Sequence, residues 1–194
     1  MLQKTGIIVI FLAMLCFGGC RQEEPELSDC SYLSYDSLED FQKGIQECKQ
    51  KKANEAPMTR EEIFLSGLTE YLYPQTVPEE YALLRVEVVT SSLHFIFIPE
   101  EHMPQSMDER VNVEQELSFY YTVNSLSDRP LYEERKESMR LEPIDENTLY
   151  VEDWNEVSVA VGNDLFAVRG YNVYQGYEAL LPLCKYQVIS VANP

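Results

Sequence analysis

Beyond Pro78 the chain changes to a period of two. Leu84, Val86 and Val88 alternate with other residues up to Thr90-Ser91-Ser92, and Leu93, Phe95 and Phe97 alternate after it. Successive side chains of a strand point to opposite faces, so this pattern describes a half-buried hairpin, 82–90 with 93–98. A second hairpin follows the same rule. Val157, Val159 and Val161 lead to Gly162-Asn163-Asp164, and Leu165 to Arg169 returns. Those turn residues tolerate positive φ or bond locally to the backbone. Leu117 to Val123, Thr148 to Val151 and Tyr186 to Val191 add strands rich in aromatic and β-branched residues. A chain with this much alternation must bury one face of an antiparallel sheet against something else.

The N-terminal part supplies the cover. Ser37-Leu38-Glu39-Asp40 has the form of a helix start, with a hydroxyl to accept an amide and an acid at the third position. Leu38, Phe41, Ile45 and Cys48 then recur at helical spacing on one face, and Lys49, Lys51 and Lys52 fall in the last turn, where they complement the helix dipole. Gly44 weakens this helix by about 1 kcal/mol relative to alanine. Thr59-Arg60-Glu61-Glu62 repeats the capping pattern before Ile63, Phe64, Leu65 and Leu68, predicting a second helix that ends by Tyr73-Pro74. A short helix is expected around Tyr177 to Leu183, limited by Pro182. The expected class is α+β, with N-terminal helices packed on a mainly antiparallel β-sheet and a short helix before a C-terminal strand.

The first residues carry a different message. Lys4 precedes the apolar run Gly6 to Cys16, and Phe17-Gly18-Gly19-Cys20 closes it. This is the order of a secretory signal, and it is shorter than the roughly 20 residues needed to cross a bilayer. The four closing residues resemble the lipobox of bacterial lipoproteins, with phenylalanine where leucine is commonest. That resemblance implies a diacylglyceryl group on the Cys20 sulfur and cleavage before it, hence a lipid-anchored chain on the extracytoplasmic face of the cell membrane. The expected organisation is a signal peptide at 1–19, a lipidated Cys20 and flexible tether at 20–35, and one domain at 36–194. Across the mature chain, the order of Val77-Pro78-Glu79-Glu80-Tyr81-Ala82-Leu83, a hairpin, Asp153-Trp154-Asn155, a second hairpin and a terminal strand is similar to uncharacterised lipoproteins of Gram-positive anaerobes. The resemblance implies no known activity.

Composition narrows the partners. The formal charge is −18, and loss of Lys4 with the signal makes it one unit more negative. Such a chain repels nucleic acid and anionic head groups, and its partners are the membrane, through the lipid, and an envelope protein or glycan. Cys30, Cys48 and Cys184 remain besides Cys16 and Cys20. No Cys-x-x-Cys spacing suggests zinc or redox chemistry. A Cys30–Cys48 bridge is the simplest pairing in an oxidising envelope, while Cys184 sits in an apolar run and reads as a buried small hydrophobe.

No catalytic motif is present: no nucleophile elbow, Ser-x-x-Lys, His-Glu-x-x-His or phosphate loop. His94 lies in the first hairpin and His102 in Glu100-Glu101-His102, read as an exposed loop. Asp145-Glu146-Asn147 and Glu152 to Glu156 cluster oxygens without the calcium-loop pattern, so neither cofactor nor metal is expected. Tyrosine is abundant, at 13 residues. Tyr171, Tyr174 and Tyr177 form a candidate recognition edge, and Trp154 a candidate stacking residue, against the alternative that all four pack as ordinary sheet and core aromatics. The expected function is non-catalytic binding or scaffolding of an envelope component. The alternatives are a hydrolase of an envelope polymer working through an acid pair, or a one-domain receptor for a small ligand.

Overall fold

Ser37 opens the first helix as its sequence predicts: its hydroxyl oxygen accepts the Asp40 amide at 3.0 Å. The computed structural model describes residues 32–104, 115–126, 141–171 and 174–191. Helix α1 spans Leu38–Ala53 and buries Phe41, Gly44, Ile45 and Cys48 on one stripe. Helix α2, Arg60–Gly67, carries a complete capping box in which Thr59 and Glu62 exchange backbone bonds. Lys51 of α1 pairs with Glu62 of α2. The second helix ends earlier than the sequence suggests. Leu68 is already extended, and Glu70–Pro74 forms strand β2 with Tyr71 and Leu72 both buried. A short apolar run buried on both sides carries neither helical nor strand period, so the boundary was hidden.

Strand β1, Leu33–Tyr35, lies within the stretch expected to be tether and pairs with β3 instead. The remaining strands are β3 (Tyr81–Val89), β4 (Ser92–Pro99), β5 (Leu117–Thr122), β6 (Leu141–Pro143), β7 (Thr148–Val151), β8 (Glu156–Val161), β9 (Asp164–Gly170) and β10 (Tyr186–Ser190). Among the described residues, eight strands form one sheet in the order β1-β3-β4-β5-β9-β8-β7-β6, and β10 pairs with β2 in a second. All these pairings are antiparallel, so the fold is α+β with a mainly antiparallel sheet. Strand β6, not anticipated, is at the sheet's end, where Pro143 is tolerated. Both expected hairpins form, turning at Thr90 (φ 54°) and Gly162 (φ 62°).

The first hairpin contains one correction to the alternation. Leu83 pairs with Phe97 and Arg85 with Ile96, so Leu84 is an extra, bulged residue. The bulge shifts the phase of β3: Leu83, not Leu84, joins Val86 and Val88 against the main core.

One face of the large sheet meets α1 and the β2–β10 pair. Phe41 packs edge-on to Tyr71 at 5.4 Å and to Phe95 at 6.2 Å, Tyr73 meets Phe95 at 5.0 Å, and Tyr186 meets Phe166 at 5.5 Å. Each buried ring contributes about 2–3 kcal/mol by removing apolar surface from water. Helix α3, Tyr177–Leu180, tucks Leu180 fully inside and passes into a tight turn at Leu181–Leu183 that contains Pro182. Cys184 is buried beside Val157, whose carbonyl accepts its thiol at 3.6 Å, and burial pushes the thiol pKa up to about 12. Cys48 is also buried; Cys30, and with it the expected bridge, lies outside the described residues.

Candidate functional site

The opposite face of the same central strands is polar. Cross-strand pairing sets Glu87 opposite His94, His94 opposite Tyr120, Ser118 opposite Arg169, and Arg169 opposite Glu156. Glu156 is only 2% exposed. Its carboxylate accepts from Arg169 Nη2 at 2.7 Å and from the Ser158 hydroxyl at 2.7 Å. A charged group taken out of water needs this degree of pairing. Burial works against the Arg169 guanidinium, but Tyr120, Glu156 and a hydrogen bond with Tyr171 outweigh it and leave its pKa raised. The guanidinium stacks 5.1 Å from the centre of the Tyr120 ring and 4.9 Å from that of Trp154. Burial in turn pushes the Tyr120 hydroxyl up to about 12 and draws the His94 imidazole below its ordinary value, keeping both neutral at pH 7.

Trp154 is the last residue of a one-turn helix, Glu152–Trp154, that links β7 to β8. What fixes this link is Asn155, in the left-handed conformation at φ 47°, a region asparagine tolerates better than most side chains. Its side-chain amide donates to the carbonyl of Gly170 at 2.6 Å and to that of Tyr174. Its side-chain oxygen accepts from the Gly176 amide at 2.8 Å and the Tyr150 hydroxyl at 3.0 Å. One residue thereby ties the β7–β8 link to the segment after β9. The approach is close enough that a Cβ at Gly170 would lie 2.5 Å from the Tyr174 carbonyl oxygen, which only glycine allows.

A pocket of about 360 Å³ opens over this scaffold, lined by Glu152, Asp153, Trp154, Asn155, Arg169, Gly170, Tyr171 and Gln175. Trp154 and Tyr171 are each 37% exposed. These two candidates from the sequence therefore share one site. The other two do not join them. Tyr174 packs on Tyr81 at 5.9 Å with its hydroxyl 3.5 Å from Glu80, and Tyr177 packs near Tyr150 at 6.1 Å; both lie against the main core. The expected row of three phenols is divided because Asn155 and Gly170 draw the Tyr174 backbone inward.

Arg169 and Asn155 are the site residues that sequence reasoning missed. A signal for Arg169 existed: counting back from the Gly162 turn places it opposite Glu156. For Asn155 the only signal was an asparagine between a tight turn and a strand.

The other candidate clusters are dispersed. Asp145 accepts the Asn147 amide at 2.8 Å within the β6–β7 turn, and Glu101 lies 3.7 Å from His102 on the surface. Among the described residues, no three His, Cys, Asp or Glu side chains converge to hold a metal ion, and no helix is long and apolar enough to cross a membrane. Cys20 lies outside the described residues. Compared with known proteins, the chain matches no family model, no curated protein and no solved structure.

Proposed function

We propose that the chain is a bacterial lipoprotein, anchored on the extracytoplasmic face of the membrane by a lipid on Cys20, whose folded domain binds an envelope component without transforming it. The observation that carries the binding half is the convergence of Trp154 and Tyr171, both partly exposed, on one polar pocket braced by the Glu156–Arg169 pair and Asn155. A rigid aromatic platform loses little side-chain freedom when it binds, which is why such residues dominate recognition surfaces. Glu156, the buried partner of the lining residue Arg169, is committed to Arg169 and Ser158, an arrangement that supports a holding role for it over acid–base chemistry. The anchor half rests on the order of Lys4, the apolar run and Phe17-Gly18-Gly19-Cys20, and on magnitude: one acyl chain binds only marginally, whereas two signals hold stably.

The test combines labelling and capture. Wild-type protein grown with labelled palmitate is expected to carry label in the membrane fraction, and Cys20→Ala to lose it. Cross-linking in intact envelopes is expected to trap a component with wild type and much less with Trp154→Ala at equal abundance. Unlabelled wild type would remove the anchor, and equal capture by Trp154→Ala would remove the pocket.

A further inference from the structure

The β2–β10 ribbon ends on an edge that no described residue pairs, and we infer that this edge joins a second copy of the chain, strand β10 to strand β10, about a twofold axis at Val188. The register fixes which groups are free. The Gln75 amide donates to the Lys185 carbonyl at 2.8 Å, and the Val191 amide to the Thr69 carbonyl at 2.8 Å. Antiparallel ladders exchange bonds at every second pair, so Lys185, Gln187, Ile189 and Val191 bond inward to β2. Tyr186, Val188 and Ser190 turn their N–H and C=O groups the other way, where no strand follows among the described residues. Val188 is 54% exposed, so the centre of the edge is open to solvent.

The other edges carry protection that β10 lacks. At the two ends of the large sheet, β1 and β6 are short, at 3 residues each, and β6 contains Pro143. The outward positions of β2 are Glu70, Leu72 and Pro74. Leu72 is buried, and Pro74 has no N–H to offer. Short strands, proline and charge are the means by which edges avoid unwanted pairing. Strand β10 runs for 5 residues, Tyr186–Ser190, with neither proline nor charge. An open, neutral edge of this kind is a template for another strand.

Charge and symmetry select the second copy. Two bodies at −18 repel each other, so they meet best where acids are absent. From Ala179 to Pro194 the chain contains no Asp or Glu, and surface charges more than about 8 Å apart are largely screened at physiological salt. A twofold axis at Val188 sets Val188 against Val188 and Tyr186 against Ser190, so every outward donor on one copy meets an outward acceptor on the other. An axis one residue earlier would set Ser190 against Cys184, outside the strand. The product is one antiparallel sheet in the order β2-β10-β10-β2, and its outer edges are the protected ones of β2. Pairing therefore closes at two copies instead of running on as a fibre. Strands this short, joined edge to edge, bury less than the ~1,200 Å² of a standard interface, and the expected affinity is micromolar or weaker.

The test is sedimentation equilibrium of the full chain in detergent, with micelles in excess of protein, from about 1 µM to about 500 µM. Wild type is expected to associate reversibly to a dimer, more tightly in about 500 mM salt than in about 50 mM, because screening lowers the mutual repulsion. Val188→Lys and Val188→Asp each set like charges against one another on the axis, and each is expected to weaken association about tenfold or more. Their equimolar mixture is expected to associate about as tightly as wild type, since mixing opposite charges rescues only a residue that faces itself. The side chain at 188 is exposed, so the melting temperatures of the separate forms should agree, and the wild-type and mixing experiments decide the matter without reference to either variant alone. A wild type that stays monomeric across the range, association indifferent to charge at 188, or a mixture no tighter than its parts would overturn the twofold assignment. If wild type is monomeric while Val188→Lys lowers the cross-linking of an envelope component, the edge takes a foreign strand and the second copy is excluded. No residue of β10 lines the Trp154 pocket, so self-association and Trp154-dependent capture stand or fall separately.

Discussion

The two faces of the central strands are held by opposite means. On one, Phe95, Phe97, Phe119, Val168 and Val157 join a single apolar core with residues of α1, β2 and α3. On the other, His94, Tyr120, Arg169 and Glu156 meet one another through charge, stacking and hydrogen bonds. A hydrophobic face tolerates imprecision, because transfer from water is non-directional. A buried polar face does not, because each group left unpaired bears its full desolvation cost. The difference teaches where specificity resides: the apolar side sets the fold, and the polar side fixes Arg169 under Trp154 and so sets the site.

The largest expected effect tests that contrast directly. Phe95→Ala should cost about 3–5 kcal/mol through lost transfer energy and a cavity, and Arg169→Ala a comparable amount because it strands the buried Glu156 carboxylate. What separates the faces is rescue. Replacing both partners, as Arg169→Met with Glu156→Leu, should recover much of the loss by urea denaturation, since an apolar pair no longer needs paired charges. The double variant should nevertheless fail to trap an envelope component, because Trp154 has lost the cation beneath it. No second substitution of comparable simplicity should rescue Phe95→Ala. If the charge pair is not rescued, geometry and not electrostatics governs the polar face.

A second prediction concerns the rim of the apolar side, where β1 meets α1. A Cβ placed on Gly44 would collide with the Tyr35 ring, so the glycine that weakens α1 makes room for a tyrosine from the edge strand. In wild type, Gly44→Ala is expected to destabilise, the clash exceeding the helix-propensity gain of about 1 kcal/mol. In a Tyr35→Ala background the same change should stabilise by about that 1 kcal/mol. The sign reversal between two thermal melts is the readout, and two changes of equal sign would show that Tyr35 moves aside freely.

This contrast also explains how much could be read from the chain. Alternation at Val86, Val88, Leu93, Phe95 and Val157 exposed the apolar face, and capping at Ser37 and Thr59 exposed both helices, because these signals are local. Strand β1 was hidden in a polar segment with only Leu33 and Tyr35 to betray it, and β2 in a run buried on both sides. The Leu84 bulge inverts phase without any residue-type signal. At the site, Trp154 and Tyr171 stood out by side-chain chemistry, whereas their convergence depends on Asn155 bonds to Gly170, Tyr174 and Gly176. Those contacts join separate segments of chain, and no periodicity records them.

The smallest effect belongs to His94, and its sign follows from the polar face. Burial draws the imidazole pKa below 6.5 and Arg169 adds to this, while Glu87 opposes it. The native state therefore binds the proton less readily than the unfolded chain. Above the unfolded value of about 6.5 both forms are neutral and His94 costs nothing; as pH falls below it the unfolded state gains protons first, and stability declines until the folded value is passed. His94→Gln cannot gain that proton. Its melting temperature should fall less than that of wild type between about pH 7.5 and pH 5.5, a window above the one in which carboxylates titrate. The Glu62 carboxyl, held low first by its hydrogen bond from Lys51, contributes its own loss only below 4.5, so the two slopes are separable on one curve. Parallel curves for wild type and variant across the upper window would mean that water reaches His94 freely, and that the polar face is open where its neighbours Tyr120 and Arg169 indicate that it is closed.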